Sequence, residues 1–266
     1  MRNILIIVTV FIGSVIFAQT NMNIRKTDGS LVQIDITDID SIYYETVINF
    51  NCGDNITDID GNTYGTVSIG NQCWMKNDLK VSHYADGTEI PNITDDTDWG
   101  NLGDNNTDKA FAFYNNDANN ESDTYGALYT WAAAMNGENS STTIPSNVQG
   151  ACPTGWHLPS DGEWVELTDF MGGTSVAGQK MKEVGSAHWT GTNSGTDEFG
   201  FTALPIGTRR DNSGAFESIG GTVYWWCTTE EDAENTYTRQ LYYMGDAVAI
   251  GGHLKSAGQA IRCIKD

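Results

Sequence analysis

Residues 152–172, CPTGWHLPSDGEWVELTDFMG, restrict the fold more than any other stretch of the chain. Ser160 and Glu163 have the S-x-x-E spacing of a capping box, in which each side chain satisfies a backbone N–H of the first helical turn. Trp164, Leu167, Thr168 and Met171 then recur on one helical face. Gly172-Gly173 supplies a left-handed stop. The pattern predicts a short helix with both ends fixed and its apolar side turned inwards, a structural element rather than a catalytic one.

Around this helix the periodicity changes along the chain. Residues 23–44 alternate apolar and polar on both sides of Asp28-Gly29, a hairpin pattern. Residues 55–75 read as turn, strand, Gly-Asn turn and strand. Residues 82–120, rich in Asp, Asn, Gly and Thr, read as a long loop interrupted by an aromatic strand at 111–114. Leu128, Trp131, Ala132 and Met135 predict a helix over 125–136, ended by Gly137. Ala177, Met181 and Val184 predict a second short helix after the capped one. Beyond Trp189 the pattern is strands and loops: 200–204, 222–228, 235–244, 247–250 and 260–264. Helices in the middle with strands at both ends indicate an α+β domain.

Composition narrows the function. The net charge is −21, from 35 acidic and 14 basic residues, which excludes nucleic acid as a partner because phosphate binding needs cationic counter-charge. Arg2, the apolar run 4–17 and Ile16-Phe17-Ala18 before Gln19 have the form of a signal peptide over residues 1–18. No later run is long and apolar enough to span a membrane, so the expected product is secreted or at the cell surface. All five cysteines follow the signal, so disulfides are expected, with one thiol left over. The D-x-D-G-N run places Asp58, Asp60 and Asn62 at the spacing that opens a calcium loop, but without the downstream bidentate Glu. A plain Asp-Gly turn is the favoured reading, with the metal site as the alternative.

Several motifs carry a resemblance to a known family. VSIGNQCWMKNDL at 67–79, YGALYTW at 125–131, CPTGWHLPSDGEW at 152–164, GFTALPIG at 200–207 and the terminal IRCIKD resemble the Fibrobacter succinogenes major paralogous domain. The resemblance runs from about Cys52 to the last residue. It divides the chain into the signal peptide, an N-terminal β leader over 19–50 similar to one on secreted Bacteroidetes-type proteins, and the family domain over 51–266. Members are exported bacterial proteins without an established activity. The helix lead-in and the terminal R-C strand are also similar to C-type lectin-like folds, including formylglycine-generating enzymes. By that analogy the first and last strands of the domain pair, a helix pair packs on them, and long loops fill the far side. The resemblance implies the pairs Cys152–Cys263 and Cys52–Cys73, leaving Cys227 free.

The residues point to binding rather than catalysis. Cys227 lies in an alternating aromatic strand, and the cysteine surroundings of formylglycine-generating enzymes are missing. G-x-S-x-G, H-E-x-x-H and Walker A signatures are absent. The loop 188–200 combines Trp189 with Asn193, Asp197 and Glu198, an aromatic and hydrogen-bonding set suited to an extracellular or envelope polysaccharide. The competing reading of Trp189 and Trp225-Trp226 is core packing. A non-catalytic binding module, possessing no cofactor unless calcium, is the leading expectation. A structural envelope or matrix component is the alternative.

Overall fold

The computed structural model describes residues 21–25, 30–35, 50–119 and 124–266. The expected signal peptide at 1–18 and the Asp28-Gly29 turn lie outside the described residues. The chain divides into two compact units, Met1–Asn49 and Phe50–Asp266. In the first, β1 (Asn21–Arg25) and β2 (Leu31–Asp35) form the antiparallel pair that the alternation predicts.

The second unit opens with two ladders. β3 (Ile56–Thr57) pairs with β4 (Thr63–Tyr64). β5 (Thr66–Ile69) turns at Gly70-Asn71 into β6 (Gln72–Met75). Helix α1 (Asp96–Gly100) follows, then β7 (Phe111–Ala112), β8 (Leu128–Tyr129) and helix α2 (Trp131–Met135). β9 (Trp156–His157) leads into α3 (Asp161–Phe170) and α4 (Thr174–Met181). β10 (Thr208–Arg209), β11 (Phe216–Glu217), β12 (Thr222–Glu230), β13 (Asn235–Tyr242), β14 (Ala249–Leu254) and β15 (Ile264–Lys265) complete it. The larger sheets are antiparallel, ordered β5-β6-β15-β9 and β12-β13-β14. The architecture is mixed α+β with short helices and a predominance of sheet. No helix among the described residues is long and apolar enough to cross a membrane.

The capped helix forms as its sequence dictates. Ser160 Oγ accepts from Glu163 N at 3.3 Å and Glu163 Oε2 accepts from Ser160 N at 2.9 Å. Gly172 and Gly173 take φ of +102° and +97°, conformations a side chain would strain. Trp164 enters the core against Trp74 and Trp225, at ring separations of 4.7 and 5.5 Å. The helix predicted over 125–136 is shorter: Leu128 and Tyr129 pair as a strand with Ala112 and Phe111. Gly126 passes so close to the Asp78 carbonyl that a Cβ there would sit 2.8 Å from it, and Ala127 N donates to Leu79 O at 2.9 Å. Those bonds hold the segment extended until Thr130 caps α2. Residues 200–204, predicted as a strand, make a single parallel bridge, Ala203 with Lys182. α4 ends at Met181, and Val184 is 64% exposed.

Two disulfides close the unit: Cys52–Cys73 and Cys152–Cys263, with Cα separations of 5.8 and 6.0 Å. Cys227 is unpaired and buried. Such bonds persist in oxidising compartments and fit an extracellular protein. Inside, Arg262 Nε donates to Asp78 Oδ1 at 2.6 Å, and Trp225 Nε1 reaches the same oxygen at 2.7 Å. Arg262 NH1 donates to Phe201 O at 2.7 Å. Removing the cation would strand a carboxylate in the core. Arg262→Met is expected to cost about 3–5 kcal/mol of unfolding free energy, measured by urea denaturation.

Candidate functional site

The turn after β3 brings Asp58, Asp60 and Asn62 together, but not around a common centre. Asp58 Oδ1 accepts from Asp60 N and Asn62 N, both at 2.9 Å. Its Oδ2 accepts from Asn62 Nδ2 at 2.8 Å and Tyr64 OH at 2.7 Å. With both oxygens engaged inside the turn, Asp58 shapes a loop instead of offering ligands. Among the described residues no group of three or more His, Cys, Asp or Glu could hold a metal ion.

Asp60 points the other way, across to the segment 81–85. Its Oδ2 accepts from Ser82 N at 2.6 Å, Ser82 Oγ at 3.0 Å and His83 N at 3.2 Å. Its Oδ1 lies 2.6 Å from His83 Nδ1. Partial burial works to raise the Asp60 pKa, but the Ser82 and His83 hydrogen bonds outweigh it and hold the carboxyl below its usual value. An ionised carboxylate only accepts, so Nδ1 carries the proton of this bond. The tautomer and ring plane of His83 are thereby set, and Nε2 has no partner among the described residues.

His83 lines a cleft of about 250 Å³. Ile59, Val81 and Pro153 give it apolar walls, Thr57 and Thr154 add hydroxyl-bearing residues, and Cys152 of the long disulfide lies at its edge. The His83 side chain is 41% exposed and Asp60 20%. Asp58, its oxygens engaged within the turn, lines it as well, and the pocket is small, below the roughly 300–1,000 Å³ of drug-sized sites. Sequence reasoning assigned Asp60 to a calcium loop and left His83 unassigned. Nothing local links two residues in separate turns.

The loop expected to bind ligand is committed elsewhere. Trp189 is a core residue, 2% exposed, and its Nε1 donates to Ala203 O at 3.0 Å. Asn193 Nδ2 donates to Glu183 O and Gly185 O, both at 2.6 Å. Asp197 accepts from Thr202 N at 2.7 Å and Thr202 Oγ1 at 2.8 Å. Glu198 pairs with Lys180 at 3.3 Å. All eight tryptophans are buried, so none serves as an exposed platform. The indole that the sequence offers as a ligand surface instead folds onto Phe201-Thr202-Ala203, because burying it removes a large apolar area from water.

Cys227 and His157 are buried titratable groups outside the cleft. Burial pushes the Cys227 thiol up to about 12, against the opposing pull of nearby Arg239. It is a poor nucleophile in the folded state. Thiol reagents at neutral pH are expected to leave the native protein unlabelled and to modify one cysteine on denaturation without reductant, read by mass spectrometry. His157 lies between two carboxylates, Nε2 at 2.7 Å from Glu163 Oε1 and Nδ1 at 2.8 Å from Asp266 Oδ1. Burial works to lower its pKa, but both carboxylates outweigh it and the net shift is upward from 6.5. A raised folded pKa stabilises the protein fully below the unfolded value, and the contribution is lost as pH rises through the folded one. Wild type should lose stability relative to His157→Asn as pH rises from below 6.5 through the raised folded pKa, measured by denaturation at each pH.

Fold and cleft together define a disulfide-stapled, sheet-rich α+β protein with a recessed, histidine-bearing face. The family model of the Fibrobacter succinogenes major domain matches residues 67–265, and the chain belongs to that family. Searches of curated proteins and of solved structures return no match.

Proposed function

We propose that the chain is an exported, non-catalytic binding module acting at or outside the bacterial cell envelope, with a glycan as ligand and the His83 cleft as its seat. The observation that carries this reading is the imidazole of His83, a residue lining the cleft, fixed by Asp60 at one nitrogen and unpartnered at the other among the described residues. A neutral imidazole nitrogen accepts a hydrogen bond from a hydroxyl, and the flanking apolar walls suit the C–H faces of a sugar ring. The two disulfides support an extracellular setting.

The architecture supports a C-type lectin-like reading at the level of topology. β6, early in the family domain, pairs with the last strand β15, and α3 packs with α4. Fold alone does not choose the ligand. Catalysis is disfavoured because the Cys227 thiol is buried, and the hydroxyl beside His83, Ser82 Oγ at 3.1 Å from Nδ1, donates to Asp60 Oδ2 instead of to the imidazole.

A polysaccharide and glycan-array screen on the mature protein, with and without calcium, tests the proposal. Binding should weaken about tenfold or more in His83→Ala and clearly in Asp60→Asn, since removing a partner group from a hydrogen-bonded site costs about 1–2 kcal/mol. Binding that is unchanged in both variants would sink the assignment to this cleft.

A further inference from the structure

Lys255 immediately follows β14 and is 1% exposed. Its Nζ donates to Asn106 Oδ1 at 2.8 Å, to Glu230 Oε1 at 2.5 Å and to Ala233 O at 2.9 Å. The ring of Trp131 lies 4.6 Å from the same nitrogen and closes one side of it. Glu230 ends β12, and Asn106 lies on the loop between α1 and β7. That loop is held in place independently: Asp104 Oδ1 accepts from Ser256 N at 3.3 Å and from the Ser256 hydroxyl. Three segments distant in sequence thus deliver an amine, a carboxamide and a carboxylate to one point.

These are all the groups that an amide exchange needs. We propose that Lys255 and Asn106 react within the folded chain to form an intramolecular isopeptide bond, with Glu230 as the proton carrier. Glu230 takes a proton from the Lys255 ammonium, and the freed lone pair attacks Asn106 Cγ while the carbonyl π pair moves to Oδ1. Glu230 relays a proton from the attacking nitrogen to the departing one. Collapse restores the carbonyl, breaks the Cγ–Nδ2 bond and releases ammonia, which leaves with the last proton as ammonium. Glu230 returns as carboxylate. The sum is one ammonium and one amide consumed, one ammonium and one amide formed, and no redox change.

The arrangement favours this step in three ways. The amine and the amide are already neighbours, so no chain entropy is lost at reaction. The Lys255 N–H donates to the carbonyl oxygen that must accept charge. Asn106 is exposed, so ammonia departs into solvent, whereas the amine is walled off by Trp131. Lys109 offers a contrast: its Nζ meets Asn136 Oδ1 at 2.7 Å, but no carboxylate lies within ion-pair distance of it among the described residues. That pair lacks a proton carrier.

Mass spectrometry of the purified, reduced full chain tests the proposal. The expected result is a protein lighter by one ammonia, and a tryptic digest containing a branched peptide that joins Lys255 to Asn106. Lys255→Met and Glu230→Gln should both return to the unlinked mass, with circular dichroism confirming that they fold. Wild-type protein in which Lys255 and Asn106 appear only in linear peptides after prolonged incubation overturns the proposal. So does an ammonia loss that maps to another residue. Full cross-linking in Glu230→Gln overturns the part assigned to Glu230. The wild-type digest decides the bond itself even if a variant fails to fold.

Discussion

The ion pair between Asp78 and Arg262 is the constraint on which the second unit depends. Both side chains are 1% exposed, and they lie 184 residues apart in sequence. Burial pushes the Asp78 pKa up, while Arg262 and the Trp225 indole pull it down. Desolvating two charges is expensive, and a well-packed apolar pair of similar volume is often no less stable. What the pair supplies is position. Arg262 also donates to Met75 O at 3.3 Å and to Phe201 O, and its guanidinium lies 4.5 Å from the Phe201 ring. One side chain therefore ties the end of β6, the segment at 201 and, through Asp78, β12 to the last segment of the chain. An aromatic core could pack in many registers; a guanidinium with three fixed acceptors, Asp78 Oδ1, Met75 O and Phe201 O, admits few.

The Cys152–Cys263 bond acts next to this anchor, one residue further along. It joins the segment that opens into β9 and α3 to the residue before β15, the strand between β6 and β9 in the sheet. A cross-link spanning 111 residues removes unfolded-state entropy, a contribution on the order of 4–5 kcal/mol when unstrained. The ion pair selects the register, and the disulfide, with both cysteines fully buried, secures it beside β15. Trp74, Trp164 and Trp225, each fully buried, pack on one another and hold the capped helix to both sheets.

Local chemistry was legible in the sequence wherever the signal lay within a few residues. The capping box at Ser160 and Glu163, the glycine stop, the β5–β6 hairpin and the strands 222–228 and 235–244 all rest on spacing, and the structure contains them. The disulfide pairs came from family resemblance, since spacing alone leaves them open. What failed was tertiary override of periodicity. Leu128 fits a helical face but is drawn into a strand by Ala110–Ala112 and the Asp78–Leu79 backbone. Trp189 sits in a polar loop that looks exposed until the loop folds over it. The His83–Asp60 pair, 23 residues apart, and the Asn106–Glu230–Lys255 cluster have no local pattern to betray them. The candidate site was therefore only half visible, through the turn that carries Asp60.

The placement of cations also decides what the surface can meet. Of the 14 basic residues, Lys182, Arg209, Arg239, Lys255 and Arg262 are buried. Arg209 lies between the Trp99 and Phe216 rings and donates to the carbonyls of Ile93, Thr94 and Asp95. Lys182 Nζ donates to Tyr242 O and Gly245 O, at 3.2 and 2.6 Å. Arg239 pairs with Asp161 at 2.7 Å. Each cation tethers a loop or helix to the core, so the exterior is more acidic than the net charge of −21 alone suggests. Such a surface repels nucleic acid and anionic polymers at long range. The glycan proposed for the His83 cleft would accordingly be one without negative charge, the class that such a surface does not repel.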